Sequence, residues 1–366
     1  MAVVGTSSKR ARAIAFYLPQ FHPIPENDEW WGKGFTEWSN VAKAKPLFRG
    51  HYQPLVPADL GFYDLRVPET RAAQAELARH YGIEAFCYWH YWFAGRRILE
   101  RPFNEVLKSG EPNFPFCLAW ANQTWTGIWH GAPDRILIEQ TYPGAHDYEA
   151  HFHALLPAFM DDRYVQVEGK PLFCVYRPYD LPSPRQFSDL WRELAHRAGF
   201  KGLFLVGEAG AAWVPHNHGF DASVTTALPE LRGWAPWWRP RDRLAWYRRR
   251  LLGRPTVYRY ADVLDQLLDE IPSDRVTYPA VIPNWDNTPR SGGNGLVLHG
   301  STPALFREHL RQAVSRVERY PAERRLVFIK SWNEWAEGNH LEPDLRFGHG
   351  YLEAVRDELS PLDSAT

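Results

Sequence analysis

The chain has 366 residues, 45% of them hydrophobic, with a formal net charge of -1, so a disordered or fibrous protein and a broadly basic nucleic-acid binder are both excluded. Aromatic residues make up 15%, including 17 Trp, which is more than core filling asks for and points to a binding surface. The N-terminal run MAVVGTSSKRARAIAFY has no long apolar centre, so no signal peptide is expected, and no apolar run reaches membrane-spanning length.

Eight apolar, mostly non-alternating runs read as strands buried on both faces. They cover 12–21, 83–93, 114–120, 171–176, 202–207, 222–227, 277–283 and 326–332. Helical patterns fall between most of them, at 68–81, 145–160, 185–198, 260–270, 302–320 and 351–359. Pro157 predicts an end or a kink in the second. The stretch 211–219 is too short for a full helix and reads as irregular. Eight alternations predict one α/β domain, a single (β/α)8 TIM barrel. Residues 1–11 and 360–366 read as flexible ends. Helix-to-strand connections are brief (82, 199–201, 321–325). Strand-to-helix connections are long (22–67, 121–144, 228–257, 284–301), and in a barrel these share the C-terminal face, where active sites sit. A doubly wound sheet would show a glycine-rich turn after its first strand, and LPQFHPIP stands there instead.

Cys87, Cys117 and Cys174 form an odd set without close pairing. They read as buried small hydrophobes in a reducing, cytoplasmic setting. No metal site or cofactor is expected. The pairs His151/His153 and His216/His218 lack accompanying ligands, and SGGNG at 291–295 lacks the lysine of a phosphate loop.

The strongest constellation is FIKSWNEWAEGNHLEP, residues 328–343, at the end of the eighth strand. Glu334 and Glu337 share a face if the chain turns there, and Gly338 favours a turn. Two carboxylates among aromatic rings suit glycoside chemistry, one protonated as acid and one ionised as base or nucleophile. Capping or pairing with an Arg is the alternative, at about one to two odds, given where barrel sites lie. Asn333, Trp335 and Glu342 flank the pair. The first strand and its loop add Tyr17, Gln20 and His22, then Trp30, Trp31, Glu37, Trp38 and Asn40. Here Trp30 and Trp31 read mostly as packing.

Alternate residues at the next two strand ends are expected to point into the mouth: Tyr88 and His90, then Trp120, Asn122 and Trp125. Arg177, Glu208, Trp285, Asp286 and Asn287 extend that rim. Residues 231–254 hold eight Arg, four Trp and one Asp. They suit a lid, an anionic-glycan contact or a peripheral membrane contact, and equally a solvated basic helix.

The run FYLPQFHPIPENDEWWGKGFTEWSNV resembles the signature of the WbsX-like family of bacterial polysaccharide-biosynthesis proteins, and SWNEWAEGNHLEP resembles its C-terminal motif. The resemblance covers about residues 12 to 355. SWNEWAEGNHLEP is also similar to the NEWxEG motif of glycoside hydrolase family 99, the endo-α-mannosidases. These resemblances imply a barrel and a glycan substrate. By motif position they give Glu334 the part of a base assisting attack by the sugar's own 2-hydroxyl. The intermediate is then a 1,2-anhydro sugar, and the outcome is retention. Glu337 takes the part of general acid/base. FYLPQFHP departs from family 99, so mannose specificity and endo-cleavage do not carry over. WbsX-like proteins are named glycosyltransferases of O-antigen and lipopolysaccharide clusters, yet no DxD motif of a nucleotide-sugar transferase is present; a lipid-linked donor would not need one. The expectation is a retaining glycoside hydrolase-like enzyme on bacterial surface polysaccharide. A glycosyltransferase or transglycosylase is the first alternative, and a non-catalytic glycan binder the second. The oligomeric state stays open.

Overall fold

The computed structural model describes residues 9–127, 132–210, 212–225, 228, 253–268 and 274–360. Eight strands form the central sheet: β1 (Arg12–Tyr17), β2 (Ala85–His90), β3 (Phe116–Trp120), β4 (Lys170–Val175), β5 (Phe204–Glu208), β6 (Ala222–Thr225), β7 (Thr277–Val281) and β8 (Leu326–Ile329). Each pairs in parallel with the next, and β8 pairs with β1, so the sheet closes into a barrel. Each of these eight barrel strands overlaps a predicted one. The apolar runs made this legible, because such strands bury both faces; all residues of β2 and β3 are buried.

One face of the sheet fills the barrel. Phe16 stacks on Trp89 and Phe328 at 4.8 and 5.5 Å, joining β1, β2 and β8. The free thiols of Cys87, Cys117 and Cys174 meet across β2, β3 and β4 and are fully buried. The other face packs against helices α3 (Pro68–His80), α4 (Arg101–Ser109), α5 (Ala145–Phe159), α6 (Pro184–Arg197), α9 (Pro303–Val317) and α10 (Gly350–Leu359). Between them come α1 (Pro25–Trp31), α2 (Glu37–Lys43), α7 (Tyr260–Val263) and α8 (Thr288–Ser291), which belong to the long connections on the C-terminal side.

Local chemistry explains the helix starts. Ser183 and Thr302 cap α6 and α9 by accepting from the backbone N–H of Gln186 and Leu305, and Pro follows each cap. Sequence periodicity missed α1, α2 and α4, which are short and draw their stability from docking. Of the end or kink expected at Pro157, the end is absent, since α5 runs on to Phe159. Pro157 sits in the last turn, and the carbonyl it leaves unpaired belongs to exposed His153, within reach of water. Within the stretch 211–219, the described residues 212–219 contain a 3-10 turn, Pro215–His218. Of the N-terminal stretch expected to be flexible, residues 9–11 are tied down: Ala11 is buried, and Arg10 pairs with Glu318 and Glu358. Residues 1–8, 231–252 and 361–366 lie outside the described residues, and with them nearly all of the basic, Trp-rich stretch. Among the described residues no helix is long and apolar enough to cross a membrane.

Candidate active site at the C-terminal mouth

Beyond β8 the chain folds back on itself. Asn333–Glu334 pairs antiparallel with Asn339–His340, around a 3-10 turn at Trp335–Glu337. Gly338 closes the turn at φ 59°, and a Cβ there would lie 2.9 Å from the Asp286 Cβ, so the position demands glycine. Asp286 is itself held by His51 at 2.6 Å, Gln53 at 2.7 Å and Thr288 at 2.6 Å. The Asn333 amide ties the motif to β1's end, accepting from the Leu18 N–H at 2.7 Å and donating to its carbonyl at 3.1 Å.

This turn brings the two glutamates to one guanidinium. Arg290 of α8 donates to Glu337 at 2.6 Å, to Glu334 at 3.1 Å and to Glu37 of α2 at 3.1 Å. All four side chains are at least nine-tenths buried. Burial works against the charge of Arg290, yet Glu37, Glu337 and Glu334 together raise its pKa above the ordinary value. Burial, and then repulsion from Glu334, push Glu337 up to about 7, while Arg290 and Lys330 pull it down. Glu337 is therefore poised to hold or release a proton near neutrality. The Arg pairing weighed as an alternative to catalysis is present, and it is what gathers the carboxylates.

Across the mouth, Lys330 donates to Glu208 at 2.9 Å and lies 5.5 Å from the Tyr176 ring centre. Trp89 meets Tyr176 edge to face at 5.5 Å. Tyr91 lies within electrostatic reach of Glu334 and Arg290, and its ring contacts half-buried Trp125 at 5.1 Å.

The expected orientation at β2 and β3 is corrected. Tyr88 and His90 face outward: Tyr88 packs on Phe103 of α4, and His90 Nε2 meets His151 Nε2 of α5 at 2.9 Å. Trp120 packs against His151 and Phe187, also under helices. Tyr17 donates to Gln74 of α3. Strand side chains alternate, so a phase error of one residue moves the whole set to the wrong face. The inward residues are Trp89 and Tyr91. A signal existed for this phase: Cys87, Trp89 and Tyr91 share a face, and three small thiols at one level suit a barrel interior.

The remaining predicted residues divide. Glu334, Glu337, Glu208 and Trp125 come to the mouth. Asn122, Asn333, Trp335, Asp286 and Trp38 build its walls. Asn122 joins β3 to β4 through the Arg177 N–H and carbonyl, both at 2.8 Å, and the Arg177 side chain turns to Asp180. Trp38 donates to the Tyr63 carbonyl and packs on Trp335. The carbonyl of Gln20 accepts from the Glu37 N–H. His22 is buried near Asp64, and burial holds it neutral, with a pKa of about 4. Trp285 belongs to a separate apolar cluster with Tyr260 and Leu298. Arg290 and Lys330 were missed. Nothing in TPRSGG marks Arg290, because its importance comes from three residues distant in sequence.

Glu342 lies below the turn. It accepts from Trp335 at 2.6 Å, Gln74 at 2.6 Å and Tyr63 at 2.8 Å. Burial pushes its pKa up to about 7 despite these donors. Native Glu337 and Glu342 thus keep protons that the unfolded chain, with pKa values near 4.5, releases. The native state binds more protons between those values, so these groups make stability fall as pH rises from about 4.5 to about 7. Glu342→Gln removes one of the two, and the loss of urea midpoint between about pH 5 and about pH 7.5 shrinks by roughly half. An unchanged slope would refute the protonated form of Glu342. Among the described residues no group of three or more His, Cys, Asp or Glu is arranged to hold a metal ion.

Comparison with known proteins agrees with this architecture. Residues 13–355 match the family model described as glycosyltransferase WbsX. Uncharacterized protein WxcX of Xanthomonas campestris pv. campestris strain B100 is 41% identical over 363 residues, covering 96% of this chain and 50% of the relative. WxcX of a second strain of that organism is 42% identical over 365 residues, with the same coverage. The chain spans about half the length of these curated relatives. In structure it resembles the GH99 endo-alpha-mannosidase from Bacteroides thetaiotaomicron, with TM-score 0.55 and 15% identity over 95% of this chain and 96% of that one. A glycoside hydrolase-like protein aligns with TM-score 0.57 and 14% identity over 98% and 97%. At such identity the likeness establishes the barrel fold.

Proposed function

The chain belongs to the glycosyltransferase WbsX family, and from that premise we propose that it is a retaining, glycoside hydrolase-like enzyme acting on bacterial surface polysaccharide. The observation that carries this reading is one buried guanidinium holding Glu334 and Glu337 together, with burial pushing Glu337 up to about 7. Glu337 gives its proton to the leaving glycosidic oxygen as the C1–O bond breaks. Glu334 takes the proton of the sugar 2-hydroxyl as that oxygen bonds to C1, which is the route the family 99 resemblance implies. An incoming hydroxyl then gives its proton to Glu337 as its oxygen bonds to C1, the C1–O2 bond breaks, Glu334 returns the proton to O2, and the two inversions leave net retention. Arg290 holds Glu334 beside Glu337. Tyr91, Trp125, Trp89 and Tyr176 offer ring faces to sugar C–H groups.

The family model's description favours a second reading, in which the incoming hydroxyl is a sugar acceptor rather than water. Defined O-antigen oligosaccharides incubated in ¹⁸O-labelled water, with mass detection, separate the two. Hydrolysis places ¹⁸O at the new reducing end. Transfer yields a longer, unlabelled glycan. No product from any glycan, in water or with acceptors, would leave a binding protein.

A further inference from the structure

We propose that Lys330, Glu208 and Tyr176 form a second sugar subsite, which grips two adjacent hydroxyls of a pyranose ring beside the reacting bond. This rests on the glycan reading of the same mouth. The three residues come from separate barrel strands, Tyr176 just after β4, Glu208 at the end of β5 and Lys330 just after β8. The ammonium and carboxylate are 2.9 Å apart, and their side chains are 11% and 12% exposed. Such a pair contributes little to stability, because removing both charges from water offsets most of their attraction. Placed at the rim of a barrel mouth, it has another use. The Lys330 ammonium donates and the Glu208 carboxylate accepts. Adjacent hydroxyls on a pyranose present an acceptor and a donor at the spacing of a hydrogen-bonded pair. A diol can therefore bridge the two charged groups, with both hydrogen bonds charge-assisted.

The ring face has a partner as well. Tyr176 is half-buried beneath Lys330, and Trp89 meets its edge at 5.5 Å, which makes an apolar floor for sugar C–H groups. Gly207, next to Glu208, lets Trp213 and Pro178 close in; a Cβ there would lie 2.7 Å from the Trp213 ring. This fixes the strand end that carries the carboxylate. The Lys330 charge also reaches Glu337, which sets the subsite next to the proposed acid. Sites built to hydrogen-bond a hydroxyl reject analogues that lack it, because the buried polar groups are then left unpaired.

The test reads binding and not turnover. Glu337→Gln protein is titrated with methyl α- and β-glycosides of glucose, galactose, mannose and rhamnose, observed by ligand NMR. At least one binds. Lys330→Met or Glu208→Gln added to that protein weakens the best glycoside about tenfold or more. Deoxygenating one of the two gripped hydroxyls weakens binding to the parent by a similar factor, and adds no further loss once Lys330 is Met. Should the Lys330→Met protein misfold, the same deoxy comparison is made on the Glu208→Gln protein. If no glycoside binds, or the deoxy penalty is the same with and without Lys330, the subsite is wrong. Full turnover by the Glu337→Gln protein would overturn the acid assignment and leave this subsite standing.

Discussion

Glu337→Gln lowers kcat/KM by about 10²–10⁴-fold on a true substrate, with the fold intact, since a positioned acid typically contributes that factor. The amide keeps the size of the side chain and an oxygen to accept from Arg290. It cannot supply the proton that the leaving oxygen needs. Far-UV circular dichroism and the urea midpoint at pH 5, where native Glu337 carries its proton, stay close to wild type. The same assignment fixes a pH dependence. Burial and Glu334 raise Glu337 to about 7, so its acid form is lost as pH rises through that value. Activity of the wild type therefore falls on the alkaline side with a midpoint near 7. A substrate with a highly acidic leaving group needs less protonation, so it loses less in Glu337→Gln. Unchanged turnover on a natural glycan, or an alkaline limb far from neutrality, would remove Glu337 from the role.

Arg290→Met is expected to be the most damaging single change at the site. It leaves Glu37, Glu334 and Glu337 buried without the cation they share. Breaking a buried ion pair by deleting one partner costs about 3–5 kcal/mol. Three carboxylates relying on one guanidinium place the cost at the upper end, unless they take up protons instead. Proton uptake has its own signature. Arg290 pulls the Glu337 pKa down, so its loss moves the alkaline limb of activity upward in pH. Arg290→Lys keeps the charge but not the fork that spans three carboxylates, and it falls between wild type and Met. Urea denaturation with a pH–rate profile reads both effects. Wild-type stability together with an unmoved limb would mean that the guanidinium neither holds nor tunes the pair.

The barrel was legible in the chain because both-face burial leaves long apolar runs, and because loop lengths alternate short and long. Helices with strong caps, α6 and α9, were legible for the same local reason. Short α1, α2 and α4 were not, since docking and not propensity stabilises them. The paired glutamates stood out through Gly338 and the tight spacing of the motif. The facing of β2 was misread by one residue, and that alone exchanged Trp89 and Tyr91 for Tyr88 and His90.

The apolar runs and the NEWAEG turn already determined a barrel with paired glutamates beyond its last strand, since burial and turn chemistry act over a few neighbouring residues. Which side chains meet in that mouth was decided by the tertiary structure. Arg290 lies 253 residues from Glu37 in sequence and 44 from Glu334, and Lys330 lies 122 from Glu208. Electrostatic coupling depends on distance in space and on the water excluded between charges. Only the closed barrel brings these groups together and shuts the water out.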